Sequence, residues 1–164
     1  MQHAPDDLKS DREVVLEAVR CSLEARHALQ HAGGGLRADR DIVLEAVKAD
    51  GYALQHASDD LRADCEVVLM AIKTSLHGES FEYADPALKR DKDFVLQAMQ
   101  QNFLALGQSA DELLEDRGFM LEAVKLEGFA LRFAADDLKA DRQVVLEALG
   151  EQARRWQDTD DETQ

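Results

Sequence analysis

The sequence predicts an all-α solenoid of about six helical hairpins, assembled from repeats of 25–28 residues. Three observations carry that prediction. The first is a recurring block. Asp39-Arg40-Asp41-Ile42-Val43-Leu44-Glu45-Ala46-Val47-Lys48 returns as Asp64-Cys65-Glu66-Val67-Val68-Leu69-Met70-Ala71-Ile72-Lys73, and again as Asp141-Arg142-Gln143-Val144-Val145-Leu146-Glu147-Ala148-Leu149. The second is its spacing. Looser copies begin at Asp11, Asp91 and Asp116, so the six starts lie 28, 25, 27, 25 and 25 residues apart. A fixed period of this length marks stacked repeats. The third is the placement of apolar residues within each copy, at offsets of three and four, as one side of a helix requires.

The chain opens in the middle of a unit. Gln2-His3-Ala4-Pro5-Asp6-Asp7-Leu8 matches Gln55-His56-Ala57-Ser58-Asp59-Asp60-Leu61 position for position. It reads as the tail of an incomplete unit, either part of a longer array or a natural cap.

Each full unit then begins with an aspartate: Asp11, Asp39, Asp64, Asp91, Asp116 or Asp141. A carboxylate there accepts hydrogen bonds from the free N–H groups of the first helical turn. It also suits the positive end of the helix dipole. Six structural N-caps are therefore expected, not six catalytic or metal-binding carboxylates. The first helix follows. Val14, Val15, Leu16, Ala18 and Val19 give it a wide apolar arc, as a helix sandwiched between neighbouring units needs. The small side chains Ala18, Ala46, Ala71, Ala98, Ala123 and Ala148 recur at one position and allow close approach of the next element.

A shorter second helix is expected after a glycine, in Gly51-Tyr52-Ala53-Leu54-Gln55-His56-Ala57 and Gly128-Phe129-Ala130-Leu131-Arg132-Phe133-Ala134. The glycine is expected to end the first helix in the left-handed conformation. A leucine closes each unit, at Leu36, Leu61, Leu88, Leu113 and Leu138, and is expected to plug the gap to the next. Two units are longer. One carries an insertion of about three residues within Cys21–Arg26, the other of about two within Lys73–Ser80. Insertions in arrays fall in loops on one face. After Leu149 the pattern fades. Shifted by one repeat, Trp156 falls where Leu131 stood, so Arg154-Arg155-Trp156 is expected to form a closing helix. Residues 1–156 are thus expected to form one helical-repeat domain, and 157–164 an acidic disordered tail.

Composition narrows the function classes. Hydrophobic residues make up 45% of the chain, charged residues 32% and aromatics 5%. Net charge is −15, which repels nucleic-acid phosphates and anionic lipid and favours protein partners with basic segments. No stretch is long enough to span a membrane, and no secretory signal opens the chain. Two cysteines at unrelated repeat positions imply reduced thiols in a soluble, intracellular, by default cytoplasmic, protein.

The pattern Leu-x-x-Asp-[Arg/Lys]-x-Val-Val-Leu-x-Ala-Val, a spacer, then Gly-x-Ala-Leu-x-x-Ala-Ser resembles a repeat family numbered 4116 among the domains of unknown function. Leu36–Val47 and Gly51–Ser58 match it almost residue for residue, and Leu138–Leu149 and Gly128–Ala135 match well. The unit beginning at Asp91 is weaker, with Phe103 at the glycine position. The resemblance covers roughly residues 2 to 150. It implies tandem arrays, found in algae and bacteria and in large multidomain proteins, with no assigned catalytic residues.

No constellation for chemistry stands out. His3, His31 and His56 share one repeat position, but Tyr83, Gln108 and Phe133 hold it elsewhere, and a position that accepts Phe is not a ligand position. Neighbouring units also lie too far apart for zinc, whose donors sit about 2 Å from the metal. These histidines are expected to be partly buried, so that stability falls below about pH 6.5. The acidic pairs Asp6-Asp7, Asp59-Asp60, Asp111-Glu112 and Asp136-Asp137 lack the alternating ligands and central glycine of a calcium loop. Gly33-Gly34-Gly35 precedes no Lys-Ser/Thr and is not a phosphate loop. No cofactor is implied.

One irregularity suggests a surface. Glu17, Glu45, Glu122 and Glu147 share an exposed position, three of them with a cation three residues on, at Arg20, Lys48 and Lys125. In mid-array this position becomes Met70 and then Gln97, and the paired position becomes Gln100. With Leu76 in the nearby insertion, Met70, Gln97 and Gln100 form a candidate partner-contact patch. The expected function is a non-catalytic protein-interaction or scaffold module. A structural subunit of a larger assembly and an accessory repeat domain of a longer multidomain protein remain as alternatives.

Overall fold

A computed structural model describes residues 5–21 and 25–150. His3, the expected closing helix around Trp156 and the expected tail 157–164 lie outside these residues. Regular structure among the described residues is entirely helical. The chain divides into two compact units between Gln108 and Ser109.

The unit ending at Gln108 contains α1 (Asp6–Lys9), α2 (Arg12–Cys21), α3 (Ala25–His31), α4 (Arg40–Ala49), α5 (Asp59–Arg62), α6 (Cys65–Thr74), α7 (Pro86–Arg90) and α8 (Lys92–Gln101). Between them run 3-10 segments at Leu36–Ala38, Gly51–His56, Glu79–Tyr83 and Phe103–Gln108. The ten-residue helices pack in chain order, α2 on α4, α4 on α6 and α6 on α8. Behind them α3 and the 3-10 segments make a second row in the same order. The unit from Ser109 repeats the pattern with α9 (Asp111–Leu114), α10 (Arg117–Leu126), a 3-10 segment at Gly128–Phe133, α11 (Asp136–Lys139) and a helix over 142–150.

The expected second helix is therefore an α-helix only where three residues are inserted, as α3. Elsewhere it is a 3-10 helix of five or six residues. The physical reason is length. A 3-10 helix rises about 2.0 Å per residue against 1.5 Å for an α-helix, so it crosses the same layer with fewer residues. A one-turn helix follows it in place of a loop, and the acidic pairs fill its first turn, where the helix dipole favours anions. Each unit is thus three helical segments rather than a two-helix hairpin.

The glycine expectation is also corrected. Gly78, at φ 67°, is the positive-φ residue of the described chain; Gly51 and Gly128 are not left-handed. Helix α4 instead ends on Asp50 in an extended conformation, φ −152° and ψ 110°. Gly51 is required by proximity. A Cβ there would lie 2.2 Å from the Ala71 carbonyl oxygen and 3.0 Å from Thr74 Oγ1. Asp50 then caps the 3-10 segment, accepting from Tyr52 N at 2.9 Å, and Asn102 and Glu127 do the same for theirs.

The core lies between the two rows. Ile42, Val43, Ala46 and Val47 of α4 are fully buried, as are Val67, Val68, Ala71 and Ile72 of α6. Each large aliphatic side chain so placed contributes about 1.5–3 kcal/mol. Leu61, Leu113 and Leu138 are buried and Leu36 and Leu88 half-buried, each on or beside the short segment that ends its unit. Main-chain bonds join successive repeats at one recurring place. Gly33 N donates to Lys9 O, Ser58 N to Arg37 O, Asp85 N to Arg62 O and Ala135 N to Leu114 O, at 2.8–3.0 Å.

Candidate functional site

The surface of the long helices is organised by their N-caps. Asp11, Asp39, Asp64 and Asp141 each accept hydrogen bonds from the second and third N–H groups of the helix that follows. Asp91 accepts from Phe94 N at 2.9 Å and Asp116 from Phe119 N at 2.8 Å. These carboxylates have a second role that repeat-by-repeat reading did not reveal. The residue after each cap is a cation in five of the six units, and in three of them, Arg12, Arg40 and Arg117, it reaches the cap of the next unit. Arg12 Nε lies 2.7 Å from Asp39, and its other nitrogen 2.8 Å from Asp41. Arg40 pairs with Asp64 at 3.0 Å and with Glu66, and Arg117 with Asp141 at 2.9 Å and with Gln143 at 2.8 Å. The guanidinium groups hold the carboxyls of Asp39, Asp64 and Asp141 below their ordinary range. The available signal was an Arg at one repeat position with acids at the matching places one unit on.

Cys65 interrupts this ladder, since it stands where Arg12, Arg40 and Arg117 stand and is exposed. Cys21, also exposed, donates its thiol to Glu17 at 3.0 Å, which raises its pKa. Arg20 points across to Glu45 of the next unit, at 4.0 Å. Of the three expected offset-three pairs, Glu45 with Lys48 closes, at 2.8 Å.

The candidate patch lies beside this network. Met70 is half-buried on α6, Gln97 and Gln100 are exposed on the adjoining α8, and Leu76 is 86% exposed just after α6. The loop bearing Leu76 is tied down. Asn102 Nδ2 donates to Ser75 O at 3.0 Å, Ser75 and Ser80 share a buried hydroxyl contact of 3.1 Å, and Gly78 turns tightly against Ala105. Leu76 is thus held outward on a fixed loop, with no charged side chain at positions 70, 97 or 100.

His31 and His56 are half-buried. Burial, first, and then the nearby Arg26 and Arg37 push the His56 imidazole below its ordinary value. Arg26 also lies 5.7 Å from the Tyr52 ring centre and 3.6 Å from Asp50. Among the described residues no group of three His, Cys, Asp or Glu is arranged to hold a metal ion. No helix among them is long and apolar enough to cross a membrane.

The family model described as a domain of unknown function, DUF4116, matches four overlapping segments, residues 23–62, 39–87, 64–114 and 116–151. No curated protein and no solved structure matches. Repeated matches that run from residue 23 to residue 151, on tandem helical units of one design, mean that the chain belongs to this family of repeats.

Proposed function

We propose that the chain is a non-catalytic, solenoid-type interaction or scaffold module that holds a protein segment on its α6–α8 face. The observation that carries this reading is the placement of Leu76. A leucine 86% exposed on a tied-down loop has no packing role. On α6 and α8, Met70, Gln97 and Gln100 stand at positions where other repeats carry charged residues. Exposed apolar groups rimmed by polar ones mark contact surfaces. The net charge of −15 favours a partner that flanks an apolar side chain with basic residues.

The test compares proteins captured by the natural chain with those captured by the double variant Met70→Glu, Gln97→Lys. Both changes fall on side chains that are half-buried or exposed, so the helical signal should persist. The reading expects specific partners to be lost from the variant. An unchanged partner set would remove this face from consideration.

A further inference from the structure

The last described repeat exposes apolar surface that every earlier repeat hides. Leu149 is 55% exposed, whereas Val47, Ile72 and Val124, its counterparts, are fully buried. Leu131 is half-buried, whereas Leu29, Leu54, Phe81 and Leu106 at the same place are fully buried. With Phe129 and Ala148 these residues line a groove of about 350 Å³ between the Gly128–Phe133 segment and the helix over 142–150. Arg132 and Lys139 stand at its edge. In earlier repeats this volume is filled by the next unit's second-row segment, whose central side chain is Leu54, Phe81 or Leu106.

We propose that this groove is the docking site of the chain's own segment from Trp156 to Glu162. Three features select this occupant. Trp156 stands 25 residues after Leu131, the array's own repeat length, so it falls in register with the large side chains Leu54, Phe81, Leu106 and Leu131. An indole suits a groove with an apolar floor and a polar rim. The residues that follow, Asp158, Asp160, Asp161 and Glu162, are anions, and the groove's edge carries two cations. Reach is sufficient. Five residues lie between Gly150 and Trp156, so six Cα–Cα steps span at most about 20 Å. A tether this short gives the segment an effective concentration on the order of millimolar. The docked segment supplies the cover that a further unit would supply, and it keeps the groove from foreign apolar surface.

Trp156 is the single tryptophan of the chain, so its fluorescence reports on the groove directly. In the full chain its emission is expected to be blue-shifted and poorly quenched by acrylamide. Leu149→Glu and Phe129→Glu, both at exposed positions, should each shift the emission red and raise quenching with the helical circular dichroism unchanged. Lys139→Glu should produce a smaller shift in the same direction. The natural protein alone already decides the matter. An emission spectrum and quenching equal to those of the urea-unfolded chain would overturn the proposal. So would a blue shift indifferent to both groove variants, or one lost on dilution, which would assign the groove to a second copy.

Discussion

The guanidinium of Arg40, in the first turn of α4, lies 3.0 Å from the carboxylate of Asp64, which caps α6. One aspartate thus finishes its own helix and receives the cation of the preceding unit. The two duties are compatible because a carboxylate has two oxygens: Oδ1 takes the N–H groups and Oδ2 takes Arg40 Nε.

Where Cys65 stands, that link to the next cap, Asp91, is lost. Cys65→Arg should restore it, with Asp91 and Asp93 as acceptors by analogy with Asp39 and Asp41. The pair is exposed, so the gain is expected to be about 0.2–1 kcal/mol, smaller at high salt. Urea unfolding of the variant at two salt concentrations measures it. A variant no more stable than the natural chain at low salt would show that the ladder orders the surface without contributing to stability.

Gly51→Ala should destabilise the fold by more than the loss of a flexible residue would suggest. The added methyl carbon meets the Ala71 carbonyl at 2.2 Å, and a main-chain atom cannot swing aside. Overpacking of this kind costs about 1–3 kcal/mol. Gly34→Ala is the control, since open space surrounds that position. Thermal unfolding of the two variants should separate them, with Gly51→Ala melting well below Gly34→Ala.

Stability should fall in two stages on acidification. The folded state lowers the His56 pKa from 6.5, so below pH 6.5 the unfolded chain binds the proton first. Stability is then lost as pH drops toward the depressed native value. The caps Asp39, Asp64 and Asp141 have native pKa values below the ordinary 3.8. Their contribution is present above pH 3.8 and disappears as pH falls through the native values. His56→Tyr, which places here the residue found at Tyr83, should flatten the upper stage and leave the lower one. Denaturation midpoints at pH 7, 5.5 and 3 distinguish the stages, and identical slopes for both proteins between pH 7 and 5.5 would contradict the assignment to His56.

Much of the architecture is legible in the chain because one period governs it. The aspartates before each long helix, the alanines at its waist and the closing leucines repeat in register, and a register is visible without coordinates. What stayed hidden depends on contact between units. Ala53 and Leu54 would sit equally well on an α-helix or a 3-10 helix, and only the span to be crossed selects between them. Gly51 looked like a helix terminator, whereas its necessity comes from Ala71, twenty residues on. The Arg12–Asp39 pair joins residues 27 apart, a separation that spacing rules for a single helix do not test. The patch at Met70, Gln97 and Gln100 was visible as a break in a charge pattern. The fixed loop that holds Leu76 outward needed the Asn102 contact to be seen.

The hydrogen bond that the Ser58 amide donates to the Arg37 carbonyl is a joint of a particular kind, since both of its partners belong to the main chain. Such a joint is blind to side-chain identity. Gly33, Ser58, Asp85 and Ala135 all make it, though they share no chemistry beyond the amide itself. Outward-facing positions can therefore be rewritten from module to module while the splice between modules stays the same, which lets a lineage alter its surface without relearning how to assemble.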